Sequence, residues 1–255
     1  YVSALKNINI DKLKNMMSQI LSAGKKEKTI LGNMMKEKDI ILLVTPIDAS
    51  APKGRLILPQ QQVIREILDR HGIAIEVQVN EIKDALERIG NISLVICDSQ
   101  VFKEVDEAVP EDIPLTSFSI VFANYKGALQ SLYSAAKVLD TLKKGDRILI
   151  SEGCTHHRQC EDIGSVKIPK LVRKHTGLFD EDDLIFEFSS GGEFPKDVSM
   201  YKLIIHCGAC MLNENQMKTR MKFANEREIP MTNYGIAIAY MNGILKRAME
   251  PLKNI

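Results

Sequence analysis

The sequence predicts an α/β protein: two successive small domains, each with a mostly parallel sheet flanked by helices. Three observations carry that prediction. Continuous Ile/Leu/Val runs such as Asp39-Ile-Ile-Leu-Leu-Val44 read as strands buried on both faces. Helical patterns alternate with those runs along most of the chain, as parallel βα units require. The alternation is interrupted once, by a long amphipathic pattern at 125–142, which places a domain boundary near residue 123.

In chain order, Asp11 can cap a helix whose positions Leu13, Met16, Met17 and Ile20 share one face and which ends near Gly24. The charged stretch Lys25-Lys-Glu-Lys28 leads to another short helix. Strands are then expected at 40–45, 73–79, 93–97 and 116–122, with helices at 59–71, 80–89 and 99–107. After the 125–142 helix, strands are expected at 147–151, 184–189 and 202–206, with helices at 160–174, 213–227 and 235–249. The resulting segments are 1–38, 39–123 and 124–255. No internal repeat or low-complexity segment is read.

The 255 residues suffice for real cores, and 45% hydrophobic with 26% charged residues is ordinary for a globular protein. A net charge of +1 gives no global pull toward nucleic acid or a membrane surface. No apolar run reaches the length of a membrane span, and no signal-peptide pattern opens the chain. Five cysteines are few and odd in number, so the reading is a reducing, cytoplasmic setting rather than a disulfide framework.

The chemistry gathers in two knots, Cys154-Thr-His156 and His206-Cys207-Gly-Ala-Cys210, separated by 49 residues. Each follows a strand-like run, and the carboxyl ends of parallel strands form the crevice where α/β sheets bind ligands. Thiolates and imidazoles drawn from distant sequence hold transition metals or iron–sulfur clusters. Neighbouring strands would bring both knots to one rim. With Cys154, Cys207 and Cys210 as ligands, one corner of a cluster stays open to a cargo. His156 and His206 fit either as a fourth ligand or as hydrogen-bonding groups behind the ligands. The plain alternative is buried thiols in a core, and a zinc site on the same residues is also stereochemically allowed.

Other candidates read as structural. Cys97 lies inside a strand, Cys160 starts a helix, His157 points elsewhere from its loop, and His71 and His175 sit near helix ends, where a cation suits the dipole. Arg158, Lys167, Lys170, Arg173 and Lys174 form a solvated helix face or draw an anionic ligand. The loop 45–55 is long for a simple connection.

The C-x-H…H-C-x-x-C pattern, together with Pro46-Ile-Asp-Ala-Ser-Ala-Pro-Lys-Gly-Arg-Leu-Ile-Leu-Pro59, Ser99-Gln-Val-Phe102, Thr116-Ser-Phe-Ser119, Asp162-Ile-Gly164 and Asn233-Tyr-Gly235, resembles the HydF family of iron–iron hydrogenase maturation scaffolds. The resemblance covers essentially the whole chain. It implies a dimerisation domain at 39–123, a cluster-binding domain at 124–255, and the tail of a GTPase domain and linker helices at 1–38, with Val2-Ser-Ala4 ending a strand. It further implies a 4Fe–4S cluster held by Cys154, Cys207 and Cys210, a diiron precursor as transient cargo, a homodimer, and the hydrogenase and radical maturases as partners. GTP would bind only in a domain absent from this sequence, which lacks the G-x-x-x-x-G-K-[ST] phosphate loop, so the chain is not expected to be catalytic by itself. The competing readings are a structural zinc module beside a GTPase and a dithiol oxidoreductase using Cys207 and Cys210.

Overall fold

A computed structural model describes residues 1–22, 29–47, 54–153, 162–180, 182–191, 194–208, 212 and 214–253, with the side chains of 19–22 not described. Helix α1 (Ile10–Ser22) is followed by a one-turn 3-10 helix at Gly32–Met34. The expected apolar face of α1 is open, with Leu13, Met16 and Met17 all exposed. Ser3 makes a lone antiparallel bridge to Ile8 and does not end a sheet strand.

The first unit comprises β1 (Ile40–Val44), α2 (Leu58–Asp69), β2 (Ile73–Val77), α3 (Ile82–Ile89), β3 (Ile92–Cys97), α4 (Phe102–Ala108), β4 (Leu115–Ser117), α5 (Phe118–Tyr125) and α6 (Leu129–Ala136). The second comprises β5 (Asp146–Ser151), α7 (Ile168–Thr176), β6 (Leu184–Ser189), β7 (Leu203–His206), α8 (Glu214–Asn225), β8 (Met231–Asn233), α9 (Tyr234–Met241) and α10 (Leu245–Met249). Each unit has a four-stranded sheet, and every pairing is parallel. The strand orders, β2-β1-β3-β4 and β6-β5-β7-β8, are the same. Among the described residues no helix is long and apolar enough to cross a membrane.

That shared order corrects the expectation of no internal repeat. Pro114-Leu-Thr-Ser-Phe-Ser-Ile-Val-Phe-Ala and Pro230-Met-Thr-Asn-Tyr-Gly-Ile-Ala-Ile-Ala share Pro, Thr, Ile and Ala at matching places. Ser117 and Asn233 cap the following helices identically, their side-chain oxygens accepting from the amides of Ile120 and Ile236. Both helices end in the same turn. Gly127 and Gly243 take φ of +71° and +77°, and Ala128 and Ile244 reach back to the carbonyls of Ala123 and Ala239.

These turns also correct three expected elements. The run 116–122 is strand only to Ser117; beyond it, α5 is a helix buried nearly all round. The 125–142 helix is broken, because Gly127 ends α5 and Lys137–Thr141 tightens to a 3-10 helix. The 235–249 helix breaks at Gly243 into α9 and α10. Residue 123, the expected boundary, lies within α5, ahead of the Lys126–Ala128 turn that leads into α6. The expected 160–174 helix begins as a π turn at Ile163–Lys167 and becomes α-helical beside Pro169.

The units exchange their last helices. Helix α6 packs beneath β8, where Thr232 donates to the Leu132 carbonyl (3.0 Å), and α10 packs on β4. One hydrophobic core therefore joins Val95, Phe102 and Leu115 of the first unit to Ile236, Ile244 and Leu245 of the second. Arg247 of α10 pins the end of α4, pairing with Asp106 (2.8 Å) and donating to the Val109 carbonyl (3.0 Å). Burial of such shared apolar area, worth about 25 cal/mol per Å², favours the two units docked on one another.

Candidate cluster rim

Strands β5 and β7 are parallel neighbours, with Ser151 beside His206 in the register. The two knots therefore start from adjacent strand ends, as the sequence implied. The Cys207 amide donates to the Ser151 carbonyl (2.8 Å), and the Gly153 amide donates to Cys207 Sγ (3.1 Å). Gly153 lies against Leu212, where a Cβ would come within 2.7 Å of the Leu212 side chain. Only glycine fits there without displacing Leu212, so the Gly153 amide can stay aimed at the sulfur. Cys154 follows Gly153 directly in the sequence. Cys154, His156 and Cys210, with His157, Arg158 and Cys160, lie outside the described residues. Among the described residues no group of three or more His, Cys, Asp or Glu side chains gathers for a metal.

His206 is fully buried and both ring nitrogens are engaged. Nε2 lies 2.8 Å from Arg220 Nη1, and Nδ1 lies 2.8 Å from the Cys207 carbonyl oxygen. A guanidinium can only donate, so Nε2 must accept and Nδ1 must carry the proton. The imidazole stands behind Cys207 with both ring nitrogens held by protein groups, an arrangement that suits the hydrogen-bonding alternative for this residue. Arg220, 7% exposed, also donates to the Gly191 carbonyl (2.7 Å) and lies over the Phe194 ring at 5.2 Å. Burial holds its pKa below the usual guanidinium value, and negative charge on Cys207 would act in the opposite sense. Arg220 was not singled out in the sequence, although it occupies the buried face of α8 with Met217 and Ala224. A cation at a core position of that periodicity is the signal that could have found it.

The first unit forms the facing wall. Ser99 Oγ lies 3.0 Å from Ser119 Oγ, and a Cβ on Gly235 would come within 2.6 Å of the former and 2.8 Å of the latter. Ser119 Oγ is also the nearest atom to a Cβ built on Gly208, at 4.0 Å. Asn233 Nδ2 donates to the Ser119 carbonyl (3.5 Å), Lys126 Nζ to the Gly208 carbonyl (3.5 Å), and Lys167 Nζ to Gln100 Oε1 (2.8 Å). Three segments scattered in sequence, around Ser99, Ser119 and Gly235, thus meet beside the Cys207-Gly208 loop.

The remaining candidates are structural. Cys97 is buried in β3, where burial pushes its thiol well up and Sγ donates to the Thr116 carbonyl. His175 pairs with Asp140 (2.8 Å), and Arg173 donates to the Leu184 carbonyl (3.1 Å) and covers Phe186. His71 sits past α2 with φ of +57°, its carbonyl accepting from Lys38. Burial of Tyr234, hydrogen-bonded to Glu152 (3.4 Å), pushes its hydroxyl pKa up.

Two family models match the chain: the hydrogen maturase F dimerization domain over residues 30–127 and the hydrogen maturase F tetramerization domain over residues 130–251. No curated protein matches. Solved structures with some likeness include an NtrC family transcriptional regulator from Clostridium acetobutylicum (10% identity, 82% of this chain and 97% of that one, TM-score 0.26). The catalytic subunit of aspartate transcarbamoylase from M. jannaschii is another (10% identity, 98% of each chain, TM-score 0.30). Ornithine transcarbamoylase from Giardia lamblia is a third (9% identity, 90% of this chain and 91% of that one, TM-score 0.30).

Proposed function

The chain belongs to the hydrogen maturase F family, and on that premise we propose that it is a scaffold holding a 4Fe–4S cluster through Cys154, Cys207 and Cys210. Its cargo would be a diiron precursor destined for iron–iron hydrogenase. The observation that carries the reading is the Gly153 amide donating to Cys207 Sγ across adjacent strand ends, one residue before Cys154. A backbone N–H aimed at sulfur stabilises a thiolate, the form in which cysteine binds metal. The donor set fits the group: three thiols, with one described sulfur already held by an amide and backed by a buried cation.

When bound, such a cluster supplies an iron corner that a fourth, exchangeable ligand can occupy. The chain's own residues would do the rest. Gly153 and Ser151 fix the sulfur and backbone of Cys207, His206 holds its carbonyl, and the Ser99–Ser119 wall shields one side of the loop. Lys126 and Lys167 put positive charge near a rim that would receive an anionic cargo. His156 remains a candidate fourth ligand or outer hydrogen-bond partner. The GTPase activity of the wider family is not assigned to these residues.

A homodimer through the first unit is proposed with it, supported by the dimerization-domain match and by β2, an edge strand whose Ile73 is 50% exposed. Hydrogenase and the radical maturases are the proposed partners.

Anaerobic reconstitution with iron and sulfide, followed by metal and sulfide analysis, tests the cluster. Serine in place of Cys154, Cys207 or Cys210 should each remove most of the cluster absorbance. Full iron retention in all three variants, or zinc without sulfide in the wild type, overturns the reading.

A further inference from the structure

Arg220 enters the reading above only as a buried cation behind Cys207, and a buried guanidinium is costly. A guanidinium taken out of water needs compensation, normally a carboxylate. Among the described residues no carboxylate pairs with it. Its partners among those residues are neutral: the His206 ring nitrogen, the Gly191 carbonyl and the Phe194 face. Among the described residues, Cys207, one residue beyond His206, is the group whose negative charge acts on Arg220.

The connections explain why an arginine stands here. Nη1 occupies His206 Nε2 and so forces the ring proton onto Nδ1, which donates to the Cys207 carbonyl. Nη2 holds Gly191, just past β6. One planar side chain thereby ties the ends of β6 and β7, while Gly153 ties β5 to the Cys207 sulfur. A lysine, with a single point of charge, cannot keep both ties in that geometry.

We infer that Arg220 is a positioning and charge-compensating residue of the cluster site, fixing His206 as the neutral Nδ1–H tautomer and offsetting the negative charge of a metal–thiolate centre at Cys207. The inference rests on the cluster reading. A 4Fe–4S core of charge +2 with three thiolates carries −1, and one-electron reduction makes it −2. A fixed buried cation stabilises the reduced form more and raises the reduction potential.

The experiment uses the reconstituted chain with Arg220→Met and Arg220→Lys, and reads two signals. The first is the midpoint potential from an EPR-monitored redox titration, with iron content measured alongside. Arg220→Met should move the potential to more negative values at equal iron content, and Arg220→Lys should stay nearer the wild type. An unmoved potential in iron-loaded Arg220→Met overturns the charge role. The second signal is the 15N NMR signature of the His206 ring in the metal-free protein, checked for folding by circular dichroism. A single Nδ1–H tautomer in the wild type that becomes a tautomer mixture in either variant supports the relay; an unchanged tautomer in both overturns it. If the wild type takes up no cluster, the proposed function fails, and the tautomer measurement still decides the relay. If Arg220→Met does not hold iron or does not fold, the uncharged Arg220→Gln replaces it in the potential measurement, where an unmoved potential overturns the charge role, and Arg220→Lys decides the tautomer.

Discussion

Replacing Gly235 with alanine places a methyl where the two units touch. The new Cβ would stand 2.3 Å from Ser119 Cβ and 2.6 Å from Ser99 Oγ. Ordinary carbon contacts fall near 3.5–4.0 Å, so α5 and α9 would have to part by roughly 1.2 Å or more. The serine hydroxyl can rotate away cheaply, but Ser119 Cβ is fixed to the α5 backbone. Overpacking of this kind costs about 1–3 kcal/mol. Alanine recovers at most about 1 kcal/mol over glycine by helix propensity, and less in the first turn of α9. The clash should win, giving a net loss of about 1–2 kcal/mol. Ser119→Gly removes the obstructing carbon while losing one hydroxyl bond worth about 1 kcal/mol, so the double variant should be more stable than the sum of the single losses. Urea unfolding of all four proteins gives that coupling directly. Additivity within about 0.5 kcal/mol, or an unchanged midpoint in Gly235→Ala, would refute the close approach of the two helices.

Two further outcomes are expected. In β2 the amide of Ile73 and the carbonyl of Val77 face β1, which turns the backbone groups of Ala74 outward; Ala74→Pro should remove an edge donor and leave a monomer by light scattering, and an intact dimer would move the contact elsewhere. The Tyr240 hydroxyl, and then His175, hold the Asp140 carboxyl below its ordinary 3.8. Its stabilisation is therefore present above pH 3.8 and lost as the pH falls through the folded value. Because Asp140 is 54% exposed, the gap in urea midpoint between wild type and Asp140→Asn should correspond to no more than about 1 kcal/mol at pH 5 and close toward pH 2. A gap that widens on acidification would reverse the sign.

The strands were legible where they are buried on both faces. Asp39–Val44, Asp146–Ser151 and Leu203–His206 are continuous apolar runs, and the adjacency of the last two follows from parallel βα logic. The sequence misled at Phe118–Ala123 for the same reason. A helix packed on all sides loses its 3.6-residue periodicity and reads as a strand. Met231–Asn233 escaped because three residues carry no period, and the cap at Asn233 is a local hydrogen bond invisible to hydropathy. The repeat is carried by the paired Pro-x-Thr segments, but four shared residues in ten at a spacing of 116, the difference between Pro114 and Pro230, are too few to stand out from the sequence. Gly153 and Arg220 gave only weak signals, since one acts by lacking a side chain and the other by being buried.

The matched strands of the two units carry different side chains at their ends, and only the second rim carries the residues proposed to hold a cluster. Cys97 pairs across to Ser117 as His206 does to Asn233, so Cys97, Asp98 and Ser99 occupy the places of His206, Cys207 and Gly208. In the first unit those places are closed. Cys97 is buried against the Thr116 carbonyl, Asp98 caps the next turn through the Gln100 amide, and Ser99 fills the space beside Ser119. In the second unit the same places hold an imidazole that reaches a buried arginine, a thiol met by an amide, and a glycine. Ser119 and Gly235 are likewise equivalent positions, and they touch each other. Equivalent residues in contact lie on the local two-fold axis, where there is room for one side chain and not two. The serines stand on the first unit and the glycines on the second, which leaves the free space on the side of the Cys207 loop. The scaffold is duplicated, and the asymmetry at its axis leaves one copy filled by its own side chains and the other with room for the proposed ligand.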